Sequence, residues 1–289
     1  MKTKPTLALS DEQIQRFKEQ GYLQLENISP PEEVEFLKSV YDRLFAEKAG
    51  RRQGAYFDAV SIDEDNNKPH TSPQILDPVL FAPELKETVF RANGLAIAKQ
   101  LLGSKAYGSF EHAILKPPGI GAPTPWHQDE AFRLDYAPGY DEISIWMPLQ
   151  PVDTTSGCME FLPGSHRQPV LRHASPGNDP RIHALACVDD FDQTKAVACP
   201  LPAGGCTIHH TRTLHHTGPN ISPNPRRAYI LAFALPVKPD YKFARPFPWN
   251  LEKQTASEQR KRDWRKRGGF AVEFVRKIQK KVTKLTHDA

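Results

Sequence analysis

Two histidines, one aspartate and one arginine carry the chemistry this chain can do. His127 and Asp129 stand two residues apart, His215 follows His127 by 88 positions, and Arg226 lies 11 positions further on. Two imidazoles and one carboxylate form a ligand set that holds non-haem ferrous iron and leaves coordination positions open, which points to oxygen activation. In a strand, side chains at i and i+2 share a face, so His127 and Asp129 can aim at one metal while Gln128 points away. His215 is then expected from a distant strand on the opposing sheet of a sandwich. Arg226 presents a planar fork suited to clamping a carboxylate co-substrate beside the metal. An HxD pair alone is commonly a polar surface feature, so the elements around it must decide.

Those elements are predicted as follows. Ser10 and Gln13 form a capping box that starts a helix, and Gly21 ends it. Tyr22–Leu25 alternates like a strand. A second helix starts at Ser29-Pro-Pro-Glu32, with Val34, Leu37, Tyr41 and Leu44 on its apolar face. Lys48 to Thr71 reads as a long functional loop, and Pro83 to Leu102 as a helix stopped by Gly103. Short strands follow over 106–115, 142–149, 157–162, 184–188, 195–199, 205–210 and 227–235, punctuated by proline, glycine and asparagine. The expected fold class is mainly β with flanking helices, a jelly-roll (double-stranded β-helix, cupin-like) core buttressed by N-terminal helices. Residues 1–250 are expected to form one domain with its jelly-roll core at about 104–236, and 251–289 a basic helical extension.

Charge and composition narrow the function. The chain of 289 residues carries +4 overall, but from Glu252 to Ala289 there are 12 Lys/Arg against 5 Asp/Glu, so the body carries −3. That balance excludes a nucleic-acid-binding body. The extension's helix, with Phe270, Phe274, Ile278, Val282 and Leu285 on one face, is expected to pack on its own domain or a second subunit. Cys158, Cys187, Cys199 and Cys206 lack the spacing of a disulfide framework or zinc ribbon and read as small buried side chains. There is no membrane-length apolar run and no signal-peptide pattern, so the expected location is cytoplasmic.

Four ordered motifs extend the ligand reading: Trp126-His-Gln-Asp129, Ile145-Trp-Met-Pro-Leu-Gln150, Gly157-Cys-Met-Glu-Phe-Leu-Pro-Gly-Ser-His-Arg167 and Leu214-His-His-Thr-Gly-Pro-Asn220. Together, from about Leu9 to Leu235, they resemble the phytanoyl-CoA dioxygenase family, which includes the bacterial ectoine hydroxylases. The resemblance implies an Fe(II)- and 2-oxoglutarate-dependent dioxygenase that hydroxylates an unactivated C–H bond of a small metabolite or natural-product intermediate, consuming O2 and releasing succinate and CO2. It implies His127, Asp129 and His215 as metal ligands; His216 falls where the family has glycine. It implies Arg226 as the partner of the far carboxylate of 2-oxoglutarate, and Thr217 as a hydroxyl that touches the same molecule. Retention of Asp129 sets the chain apart from related halogenases, which lack that carboxylate. Catalysis needs no further residue beyond the metal centre. Candidates for the substrate pocket are His112, which either lines the cavity or is a core histidine, together with Lys116, Gln128 and Trp146. His166 reads as a structural part of its turn. The loops 48–71 and 174–181 are expected to select substrate. Two other readings remain: a cupin-like metalloenzyme independent of 2-oxoglutarate, which would not need Arg226, and a catalytically silent binding protein worked by its basic tail.

Overall fold

The computed structural model describes residues 3–63, 68–134, 141–236 and 246–269. The proposed face of the basic tail, Phe270 to Leu285, lies outside them. Helix α1 (Asp11–Gln20) begins at the predicted capping box, with the Ser10 side chain accepting from the Gln13 amide and the Gln13 side chain reciprocating. It ends at Gly21, whose φ of 80° places it in the left-handed region, and a Cβ there would run into the His166 ring. Strand β1 (Tyr22–Leu25) follows directly, and α2 (Pro31–Ala46) then buries the predicted stripe together with Val40 and Phe45.

The expected loop from Lys48 to Thr71 is partly ordered structure instead. It contains a 3₁₀ turn at Arg51–Gln53 and strand β2 (Tyr56–Asp58), which pairs with β3 (Pro73–Leu76). The Asp58 carboxylate holds the segment by accepting from the amides of Val60, Ser61, Thr71 and Ser72. The single helix predicted over Pro83–Leu102 also divides. A 3₁₀ turn covers Pro83–Lys86, and α3 (Val89–Leu102) starts anew at Thr88. The break has a local cause. The Thr88 hydroxyl caps the Arg91 amide, while the Glu33 carboxylate of α2 accepts from the amides of Val89 and Phe90, placing negative charge at the helix N-terminus.

Strands β4 (Tyr107–Lys116), β5 (Thr124–His127), β6 (Glu142–Pro148), β7 (Met159–Phe161), β8 (His173–Ala174), β9 (Ala186–Cys187), β10 (Val197–Cys199), β11 (Cys206–His210), β12 (His215–Thr217) and β13 (Arg226–Ala234) complete the sheets. A seven-stranded antiparallel sheet runs β1-β11-β6-β13-β4-β3-β2, a four-stranded one runs β10-β7-β12-β5, and β8 pairs with β9. One apolar cluster fills the space between the large sheet and the helices, including Leu37, Phe90, Ile145 and Leu231. A second joins the two sheets through Trp146, Ala228 and Ile230 on one side and Met159, Phe161 and Cys199 on the other. All four cysteines are free, and three are buried. Past β13, α4 (Pro248–Leu251) and α5 (Ala256–Trp264) return to the body. Among the described residues no helix is long and apolar enough to cross a membrane.

Candidate metal centre and cavity

His127 ends β5, and His215 begins β12 directly opposite it in the antiparallel register. The sequence reading placed His215 on an opposing sheet; the two histidines are instead cross-strand neighbours within the four-stranded sheet. Residues so paired hold their side chains side by side, and the rings stand 4.2 Å apart. Gln128 keeps an extended backbone, so Asp129 returns to the face of His127 as the first residue of a 3₁₀ turn, Asp129–Phe132. Asp129 Oδ1 lies 3.4 Å from Nε2 of both His127 and His215, and the three ligand atoms fall within 4.8 Å of one another.

Each group is held in the state a metal requires. His127 Nδ1 donates to the Pro125 carbonyl at 2.8 Å and His215 Nδ1 to the Thr213 carbonyl at 2.8 Å. A carbonyl can only accept, so both Nε2 lone pairs face the shared centre. Burial lowers the His127 pKa, and the neighbouring His215 lowers it further, favouring the neutral ligand form. Burial would raise the Asp129 pKa, but His215, His127 and His209 overcome that and hold it well below the usual carboxylate range. Ser144 donates to Asp129 Oδ2 at 2.7 Å and His209 Nε2 approaches the same oxygen at 3.2 Å, leaving Oδ1 for the centre. Neither Ser144 nor His209 was singled out as a site residue. They face one another across the β6–β11 pair, a relation that only the register reveals.

Arg226 opens β13 at 1% exposure, and its Nε and Nη1 find no hydrogen-bond partner among the described residues. Burial pushes its pKa down to about 9. An arginine stays charged, so a buried guanidinium with unused donors calls for an anion. Trp146 provides its wall, with the guanidinium carbon 5.5 Å from the ring centroid. Thr217 shares the cavity, its hydroxyl donating to Thr124 Oγ1 at 3.1 Å. Lys116 stands behind Thr217 rather than on the cavity wall. It is fully buried and donates to Thr217 Oγ1 at 2.7 Å and the Gly218 carbonyl at 2.6 Å. Burial, then Arg226, holds its pKa well below the usual lysine value.

The remaining candidates separate. His112 and Trp146 line a cavity of about 800 Å³ that also contains the His127, Asp129, His215 and Arg226 side chains. Gln128 does not reach it, correcting the sequence reading. The same alternation that turns Asp129 inward turns Gln128 outward, where its amide donates to the Arg212 carbonyl at 2.7 Å and accepts from the Leu171 amide at 2.8 Å. His216 turns away from His215 to meet Glu160 at 3.2 Å, and Arg227 turns away from Arg226 to meet Asp42 at 2.6 Å. His166 is spent on the end of α1, at 3.2 Å from the Lys18 carbonyl. Of the two expected selecting loops, Phe57 and Ala59 of the first line the cavity, while no residue of 174–181 does. The second contribution comes from the neighbouring His183, Ala184 and Leu185, and another from Asn250, Lys253, Thr255 and Glu258, beyond the last predicted strand.

The geometry has counterparts. The sequence profile described as phytanoyl-CoA dioxygenase matches residues 17–228. A probable alpha-ketoglutarate-dependent hypophosphite dioxygenase of Stutzerimonas stutzeri is 27% identical over 227 residues, spanning 77% of this chain and 78% of its own. The ectoine dioxygenase of Bordetella bronchiseptica is 28% identical over 243 residues, spanning 78% and 75%. Among solved structures, EvdO2 from Micromonospora carbonacea var. aurantiaca complexed with 2-oxoglutarate superimposes with a TM-score of 0.68 at 35% identity, covering 88% of this chain and all of that one.

Proposed function

The chain belongs to the phytanoyl-CoA dioxygenase family and is an Fe(II)- and 2-oxoglutarate-dependent dioxygenase, and from that premise we propose the part each residue plays. His127, Asp129 and His215 hold the ferrous iron, and Arg226 receives the far carboxylate of 2-oxoglutarate. The observation that carries this reading is the buried Arg226 guanidinium with unused donors in the same cavity as three convergent metal-ligand atoms. A carboxylate that meets it satisfies donors that would otherwise cost about 1–3 kcal/mol each, more where charge is involved. The two sheets are read as the halves of a double-stranded β-helix, with the cavity between them.

When bound, iron and 2-oxoglutarate supply an oxidant that inserts one atom of O2 into a C–H bond, the other atom leaving in succinate with release of CO2. The chain's own residues prepare that event. The carbonyls of Pro125 and Thr213 fix the two imidazoles as Nε2 ligands, and Ser144 and His209 restrain Asp129 to offer one oxygen. Thr217 offers a hydroxyl beside Arg226, and Lys116 fixes that hydroxyl from behind. Phe132, Trp146 and Ile230 exclude water around the reacting carbon. The proposed reaction is hydroxylation of a small metabolite or natural-product intermediate.

Slow, substrate-free turnover tests this assignment. Ferrous iron, O2 and 2-oxoglutarate together are expected to give succinate from the wild-type chain and from His216→Ala. Succinate release that survives His215→Ala or Asp129→Ala would exclude the proposed ligand set.

A further inference from the structure

The chain between Pro248 and Trp264 lies beyond the matched family region, which ends at residue 228, yet it forms part of the cavity wall. It is fastened at three places. Trp249 Nε1 donates to the Ala131 carbonyl at 2.9 Å, and Asn250 to the carbonyls of Ala131 and Arg133 at 2.8 and 3.0 Å, within and just after the turn that begins with Asp129. Lys253 Nζ donates to the carbonyls of Ile182, His183 and Ala184 and to the Ser175 hydroxyl, all within 3.0 Å. Arg260 meets the Tyr56 carbonyl and the buried Asp63 carboxylate next to β2. A segment tied this closely to the metal-bearing turn and to both cavity-lining loops is rigid wall.

The cations on that wall are already assigned. Lys253 is spent on four oxygens, Arg133 is paired with Glu142, and Arg226 faces the co-substrate. An anionic headgroup therefore meets no uncommitted cation among the described residues of the cavity. Glu258 also lines the cavity; its carboxylate makes no hydrogen bond or ion pair among the described residues, and its charge is balanced only through space by Lys253, whose own donors are spent elsewhere. His112 and His183 also face it. Burial keeps both imidazoles neutral, and His183 is stacked on Phe57 at 3.9 Å. Most of the remaining surface is apolar, as with Leu76, Phe110 and Ile114. A carboxylate acceptor and neutral imidazoles in an apolar chamber fit hydroxyl groups on an otherwise apolar molecule.

We propose that the segment Pro248–Trp264 is the substrate-selecting wall of this enzyme, and that Glu258, with His112 and His183, receives the hydroxyl groups of an uncharged, largely apolar substrate. This rests on the oxygenase reading of the same cavity. Three eight-carbon probes test it on the full chain loaded anaerobically with ferrous iron and 2-oxoglutarate: 1,2-octanediol, octyl phosphate and octylamine. Binding is read from perturbation of the iron–2-oxoglutarate absorption band. The diol is expected to bind at least tenfold tighter than octyl phosphate and tighter than octylamine, and Glu258→Ala is expected to weaken the diol at least threefold. Glu258→Gln, which keeps the shape and removes the charge, is expected to fall between. Equal or tighter binding of either charged probe, no binding of the diol, or a diol affinity unmoved in both variants overturns the proposal. Loss of the band before any probe is added counts against the oxygenase reading instead.

Discussion

At the scale of single residues, chemistry is legible where residue type itself dictates it. Donor type and spacing made His127, Asp129, His215 and Arg226 candidates, and the family resemblance of the surrounding motifs supplied their proposed roles. The proposed choice of His215 over His216 is supported by β12 alternation, which turns His215 toward His127 and Asp129 and His216 toward Glu160. Ser144 and His209 escaped the sequence because nothing local marks them; strand register brings them to Asp129 Oδ2. Their importance is measurable. Partners of this kind typically change metal affinity 10–100-fold, so Ser144→Ala is expected to weaken ferrous binding by about tenfold while the fold, followed by circular dichroism, is unchanged. An unaltered iron affinity would reduce Ser144 to a spectator. Gln128 teaches the converse. It sits between two proposed ligands in sequence, yet strand alternation makes it a clamp for the backbone of Leu171 and Arg212.

At the scale of elements, boundaries held where capping and periodicity agreed, and failed where a distant group decided. Helix α1 begins and ends at its own signals, Ser10 and Gly21. The break before α3 depends on Glu33, more than fifty residues earlier, and could not be read from residues 83–102 alone. Strand β2 was hidden in a polar stretch because its three residues are too few for alternation to show. Gly21 joins α1 to β1 against His166, so Gly21→Ala combines an unfavourable positive φ with a collision. A loss of about 1–3 kcal/mol is expected in urea unfolding; a neutral substitution would mean the turn is free to move. Lys253 acts on a loop rather than a helix. Lys253→Ala strips donors from three carbonyls at about 1 kcal/mol per bond. It is expected to speed hydrogen exchange at the Ala184 amide, which donates to the Ala59 carbonyl. Unchanged exchange there would show that the loop holds itself.

At the scale of the whole molecule, the predicted mixture of antiparallel sheets and helices is present, while the cavity could not be read from the sequence. Its walls come from segments as far apart as Phe57, His112, His183 and Glu258, which meet only when both sheets and the returning C-terminal segment are in place. That arrangement buries imidazoles, with a consequence for stability. Burial lowers the pKa of His112 to about 4, of His173 to about 4 and of His183 to about 3. Between about 6.5 and those values the unfolded chain takes up protons that the folded chain refuses, so stability present at neutral pH is lost as pH falls. Each histidine contributes up to about 1.4 kcal/mol per pH unit across that window. The urea midpoint of the metal-free protein is expected to drop between pH 7 and pH 5, and His183→Gln to reduce the drop; a flat profile would show these rings to be solvated. The whole reading converges on one experiment, anaerobic titration of the metal-free protein with ferrous iron and then 2-oxoglutarate, followed by visible absorbance, with Arg226→Ala in parallel. A weak charge-transfer band that requires both additions, with at least tenfold weaker dependence on 2-oxoglutarate in the variant, is the expected result. A folded, iron-loaded protein that shows no band, or a band indifferent to Arg226, would contradict it.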